Sequence, residues 1–322
     1  MPSLYRPPVV VTAEVEFASS FMVGDYTAKL VKTMLIAGNP ALARLFERVG
    51  DAHPKPIHIT PLYAEPGKPI YPRYVPKDRK HLAPPPREAV RPVRIEEGRK
   101  YRFYVGVPLS LLPGVLTALT SCDSFEFGQW EVSVRDTSFA IDYVDVEARA
   151  KELVSQLEKV LDWEGGPLQA ELKVTFSTPA LFKDPFAVGR WRKKRKLLVP
   201  LPDAVLSVPL YMLLLDKGIY RQSLYLRLLR YIKTVFDLPY TERGTAWLVW
   251  YRYSGNLLPA LIGYTAYFID SEALGHARAA ILSRYGLDFT QLLSEAIVLA
   301  EVYGVGDGRA AGFGHTLLSL KT

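Results

Sequence analysis

One series of elements occurs twice along the 322 residues, and that repetition restricts the fold more than any single motif does. The segment "VVVTAEVEFA" (9–18) alternates apolar and polar residues, as a half-buried strand does. A long helical stretch follows over 24–49, with Asn39-Pro40 marking a break or a fresh N-cap inside it. Strands are expected in "KPIHITPLY" (55–63) and "KYRFYVGV" (100–107), a short helix over 109–120, and one or two closing strands within 125–144. Strand, helix, strand, strand, helix, strand is the order of the ferredoxin-like split unit.

Asp145 then caps the helix "VEARAKELVSQLEKVLDW", which places Val146, Ala150, Leu153, Leu157 and Val160 on one face, and Gly165-Gly166 ends it. From there the order recurs. A strand covers 170–178, helices cross 203–235, strands follow at 246–253 and 257–269, and 272–303 is helical, with 286–303 reading as one helix. A glycine-rich loop leads to a last strand over 315–320. The expectation is an α+β protein of tandem ferredoxin-like (RRM-like) domains: an N-terminal domain over 1–145, a linker helix over 146–166 and a C-terminal domain over 167–322.

Composition narrows the classes of partner and compartment. Lys plus Arg number 40 against 33 Asp plus Glu, and this net charge of +7 permits a polyanionic partner without demanding one. A single cysteine, Cys122, excludes an internal disulfide framework, fits a reducing cytoplasm and reads as a small buried hydrophobe. Asparagine occurs only at Asn39 and Asn256, which points towards a thermophile. The most apolar run, 204–215, is broken by Pro209 and is shorter than the ~20 residues of a membrane span. No N-terminal signal segment is expected, and His, Cys and carboxylates nowhere cluster at metal-ligand spacing, so neither metal nor cofactor is expected.

Three loops exceed what the fold needs. The connection over 63–97 is crowded with prolines and cations. The run "GRWRKKRK" (189–196) gathers Arg190, Arg192, Lys193, Lys194, Arg195 and Lys196 around Trp191. Such a run is commonly a solvated loop, but cations beside an exposed indole are also what holds single-stranded RNA, through phosphate neutralisation and base stacking. The third loop carries Gly304, Gly306, Gly308, Gly312 and Gly314 and comes after a helix, not before one. A phosphate-binding loop opens a helix, so a nucleotide fingerprint is excluded here.

Taken in order, three stretches resemble the CRISPR repeat-processing endoribonucleases of the RAMP superfamily: "NPALARLFERVGDAHPKPIHITPLY" (39–63), "STPALF" with "LLVPLPDAVLSVPLYML" (177–182 and 197–213), and "GVGDGRAAGFG" (304–314). The resemblance implies tandem ferredoxin-like domains with the glycine loop near the cleft between them. It also implies a precursor CRISPR RNA partner, with other effector-complex subunits as further partners, in a monomer or homodimer. In that setting Gly304, Gly306, Gly312 and Gly314 let an RNA backbone come close, Arg309 is the loop's cation and His315 lies beside the RNA path. A tight turn needing glycine for positive φ is the alternative.

The same resemblance implies metal-independent cleavage, with the 2′-hydroxyl attacking in line to leave a 2′,3′-cyclic phosphate and a 5′-hydroxyl. Many members use a histidine on the first helix with a tyrosine and a lysine. Here the histidine's place falls at or beside Glu47 and the tyrosine's near Lys32, and only the lysine survives, as Lys55. Members lacking the histidine rely on lysines and arginines of that helix. This chain offers Lys29 and Lys32, three apart and so on one helical face, with Tyr26 a turn earlier and Arg44 and Arg48 continuing the basic side. His53 is the rival acid or base, by virtue of its pKa. The missing helix histidine keeps open a second reading, a non-catalytic RNA-binding subunit of a surveillance complex.

Overall fold

The computed structural model describes residues 4–47, 54–76, 83–162, 170–187, 196–238 and 246–321. Its first sheet is built around β1 (Pro8–Phe17), whose Val9, Val11, Ala13, Val15 and Phe17 are all buried by the alternation read from the sequence. α1 (Ala28–Gly38) follows, then β2 (His58–Ile59) and β3 (Tyr63–Glu65), then β4 (Lys100–Pro108). α2 (Leu112–Thr120) leads into a hairpin of β5 (Ser124–Phe127) and β6 (Trp130–Tyr143). The strand order is β3-β4-β1-β6-β5, with β2 also on β4. Both neighbours of β1 run antiparallel to it. This is the ferredoxin-like order.

Asp145 caps α3 (Val146–Leu161) as expected, its carboxylate accepting from the Ala148 N–H at 2.9 Å. The second unit consists of β7 (Glu171–Ala180), α4 (Pro202–Asp216), α5 (Gln222–Val235), β8 (Trp247–Tyr253), β9 (Asn256–Ile269), α6 (Ser271–Tyr285), α7 (Phe289–Tyr303) and β10 (Thr316–Lys321). Its sheet runs β10-β7-β9-β8, the same order as the first. Among the described residues no helix is long and apolar enough to cross a membrane.

Three local expectations shift. The stretch 55–63 is strand only at 58–59 and again from Tyr63, because Pro61 removes a ladder donor between β2 and β3. Gly286 does not start a helix; at φ 65° it ends α6, and Asp288 restarts the chain by accepting from the Thr290 and Gln291 N–H groups. The last strand begins at Thr316, not His315.

The two units are tied together in two ways. α7 is buried nearly all round, packing on α3 and α4 and reaching β1 and β4 of the first sheet. A Cβ on Gly106, in β4, would lie 2.1 Å from the Val302 carbonyl oxygen, so glycine is what lets α7 dock there. From the other side, the proline-rich connection sends Arg73–Tyr74 to pair with Trp250 and Tyr251, adding an edge strand to the second sheet. Arg252 fastens this strap further, donating from its side chain to the Arg87 carbonyl at 2.8 Å. Gly106→Ala should therefore destabilise the protein by ~1–3 kcal/mol through overpacking. Thermal unfolding checks this, and an unchanged midpoint would show that the α7 contact yields freely.

Candidate nucleic-acid interface

The Asn39-Pro40 break is real and is what builds the basic site. Asn39 accepts from the Ala41 N–H at 3.2 Å and donates from its amide to the Gly114 carbonyl at 3.0 Å, so the chain turns out of α1 while held against α2. A single helical turn, Ala43–Phe46, follows, and the ends of two lysines meet on its last residue. The Lys55 ammonium donates to the Phe46 carbonyl at 2.6 Å, and the Lys32 ammonium sits 5.3 Å from the centre of the Phe46 ring. Lys32 is half-buried; that burial, followed by repulsion from Lys29, lowers its pKa.

The other residues singled out by sequence have different fates. Lys29 pairs with Asp25 at 3.0 Å, so its charge is balanced locally. Asp25 in turn accepts from the Ser254 N–H of the second unit at 2.9 Å. Arg44 is exposed on the helical turn. Arg48, His53 and the run Arg190, Trp191, Arg192, Lys193, Lys194, Arg195 lie outside the described residues, and Lys196 opens a two-residue strand that pairs with Lys183.

Tyr26 is not poised for proton transfer. It is fully buried, its hydroxyl donates to the Gly312 carbonyl at 2.8 Å, and its ring stacks on Phe313 at 4.7 Å. Desolvation drives its pKa well above the ordinary value. Tyr71 from the strap and Tyr251 and Tyr253 from β8 and its end complete an aromatic knot around these two rings.

The glycine loop is the second half of that knot. A Cβ on Gly312 would lie 2.1 Å from the Ala28 Cβ, and one on Gly306 would lie 2.2 Å from the Leu181 carbonyl oxygen; both positions also have positive φ. Most of the loop's N–H groups donate within the protein: Val305 to Gly314, Asp307 to Leu181, Gly308 to the Asp307 carboxylate, Ala311 to Gly308, Gly312 to Arg309 and Gly314 to Pro179. Gly304, Gly306, Gly312 and Gly314 are all buried. An RNA backbone therefore does not lie along them in this conformation, and the alternative of close packing with positive φ accounts for the glycines.

Arg309 also departs from the expectation. Its guanidinium points inward, donating to the Tyr303 carbonyl at 2.9 Å and to the Lys55 carbonyl at 3.3 Å. Burial brings its pKa down to about 10. This cation holds the lysine-bearing segment against the loop and does not face solvent.

A histidine pair that the sequence did not disclose completes the junction. His58, buried in β2, has Nδ1 3.1 Å from the Arg309 carbonyl and Nε2 3.3 Å from His315 Nδ1. A carbonyl only accepts, so His58 Nδ1–H donates to it and His315 Nδ1–H donates to His58 Nε2. The two residues are 257 apart in sequence, and nothing local in either indicates the other as its partner. His276 lies elsewhere, 6.1 Å from the Tyr231 ring. Among the described residues no three His, Cys, Asp or Glu side chains group as a metal site.

Fold and site together combine paired ferredoxin-like units, a glycine loop locked between them and a basic cluster on the first helix. Residues 9–142 of the chain match the family model of the Cas6 N-terminal domain. Among solved structures it is similar to the Thermus thermophilus Cas6 TTHB231, at 14% identity and TM-score 0.53, covering 99% of this chain and 100% of that one. It is similar to the same protein in a product complex, at 15% identity, TM-score 0.56, and 98% and 100% coverage. A second Cas6, TTHA0078, in its product complex, matches at 12% identity, TM-score 0.51, and 97% and 99% coverage. At these identities the likeness is one of fold. No curated protein sequence matches significantly.

The histidine pair makes stability depend on pH. Burial lowers His315 to about 4 and, with the neighbouring His315 and Arg309, holds His58 well below its ordinary value. Unfolded histidines bind protons near pH 6.5, so between there and about pH 4 the unfolded chain carries more protons and stability is lost as pH falls. Chemical unfolding across this window should show stability declining below pH 6.5, and less steeply in His315→Asn. Parallel slopes for parent and variant would show that the pair titrates normally.

Proposed function

We propose that this protein is a CRISPR RNA-processing endoribonuclease, cutting precursor CRISPR RNA within the repeat by attack of a 2′-hydroxyl on the adjacent phosphorus. The O2′–P bond forms as the P–O5′ bond breaks, leaving a 2′,3′-cyclic phosphate and a 5′-hydroxyl. The 2′-hydroxyl proton goes to solvent, and the 5′-oxygen takes a proton from the protein. The observation that carries this reading is the meeting of Lys32 and Lys55 at Phe46. Two fixed cations stabilise the phosphorane, and Lys32, whose pKa burial has lowered, is the better proton donor of the two. No metal enters this scheme.

The balanced Lys29–Asp25 pair moves Lys29 from the chemistry to its border. Tyr26 and Arg309 act through the scaffold. The exposed Arg44, together with Arg48 and the basic run 190–196, supplies phosphate contacts and makes binding salt-dependent. In this scheme residues 1–145 carry the cutting site, 146–166 link, and 167–322 hold the RNA, in the cytoplasm. Glu47 at the place of the helix histidine favours a second reading, a subunit that binds repeat RNA without cutting it.

The test is single-turnover cleavage of the host's own repeat RNA in EDTA. One cut ending in a cyclic phosphate is expected. Lys32→Ala and Lys55→Ala should slow the cut by ~10²-fold or more with near-normal binding, since transition-state charge stabilisation shows in rate, not affinity. Lys29→Ala should have a lesser effect. Tight binding with no cut would establish the subunit reading, and a dead His53→Ala beside fully active lysine variants would replace the lysine mechanism with a histidine one.

A further inference from the structure

A cleft of about 530 Å³, the size of a small-ligand site, opens beside α1 at its Lys29 end. Its walls are Met22, Gly24, Asp25, Lys29 and Thr33 on one side and the tip of the β5–β6 hairpin, Glu126 to Trp130, on the other. The hairpin turns at Gly128, at φ 65°, which pairs Phe127 with Trp130 and stands the indole at the rim. Trp130 is 38% exposed and Met22 43%, unusual for side chains of this size.

The polar groups of the cleft divide into two kinds. Asp25 is fully engaged: its carboxylate accepts from the Tyr26 N–H, the Ser254 N–H and the Lys29 ammonium. That holds the floor rigid. The side chains of Glu126 and Gln129 make no hydrogen bond or ion pair among the described residues, and the Trp130 ring has no aromatic or cationic partner there. The cleft thus holds a free π-face, a free amide and a free carboxylate. Two acids against one lysine leave it without net positive charge, which disfavours a phosphate.

From this combination we infer that the cleft takes one unpaired nucleobase of the repeat, stacked on Trp130 and read at its edge by Gln129 and Glu126. A carboxylate acceptor suits a base with an exocyclic amine, and an amide both donates and accepts. Lys29 and Lys32 are three residues apart on α1, so the cleft adjoins the lysine site and the base belongs to a nucleotide flanking the scissile phosphate. This rests on the endoribonuclease reading and adds to it a specificity pocket.

The experiment is an abasic scan. Repeat RNAs each lacking one base near the cut are titrated against the full-length protein, Trp130→Ala, Trp130→Tyr and Gln129→Ala. The parent should lose roughly ten-fold in affinity at one abasic position beside the cut, as for a stacked base. Trp130→Ala should bind intact RNA roughly ten-fold more weakly and no longer distinguish that abasic RNA, while Trp130→Tyr keeps the discrimination. Gln129→Ala, which leaves the apolar residues of the hairpin in place, should weaken the preference for base identity at the same position. If Trp130→Ala and Gln129→Ala reproduce the parent's abasic and base-identity profiles, the pocket is refuted while cleavage stands. A parent that does not bind repeat RNA at all refutes both.

Discussion

The structure turns on the hydrogen bond from the Tyr26 hydroxyl to the Gly312 carbonyl, with the two side chains beside it, Tyr26 and Phe313, stacked face to face. Tyr26 stands at the entry to α1, Gly312 and Phe313 belong to the last loop of the second unit, and Tyr71 and Tyr251 press on the pair from the strap and the second sheet. Four segments far apart in sequence meet on one buried ring. Removing the hydroxyl would leave a buried carbonyl without its donor, which costs about 1–3 kcal/mol in comparable settings. Gly312 is glycine because any side chain would collide with Ala28 on α1.

From that knot a continuous chain of contacts leads to the basic site. The same loop carries Arg309, whose guanidinium accepts nothing and donates to the carbonyls of Tyr303 and Lys55. Lys55 reaches Phe46, and Lys32 lies over its ring. On its other side Arg309 offers its carbonyl to His58, which accepts from His315. The glycine loop thus contributes to function by fixing where two ammonium groups stand. Its own backbone donors are mostly used up within the protein.

Much of this architecture could be read from residues alone. The alternation of 9–18, the caps at Asn39 and Asp145 and the doubled order of elements are local signals, and local signals survive folding. Lys32 and Lys55 were also legible, one from helical spacing and the other from family resemblance. What the sequence could not show was direction. Arg309 and Tyr26 look the same in a string whether they face RNA or the core, and only the approach of β2 and α1 to the loop turns them inward. His58 and His315 are 257 residues apart, so their contact is a property of the docked units. Trp130 is not legible as a site residue because a hydrophobic residue opening a strand is ordinarily packed, and its exposure follows from the hairpin turn at Gly128.

The most direct test of this account is a crystal structure with the repeat RNA carrying a 2′-deoxy nucleotide before the cut, which binds but cannot react. The account predicts the scissile phosphate within hydrogen-bond reach of the Lys32 and Lys55 ammonium groups, about 2.7–3.2 Å, with the Tyr26–Gly312 bond intact. A phosphate held instead on the amides of the glycine loop, with that bond broken and Arg309 turned out to meet it, would contradict the account.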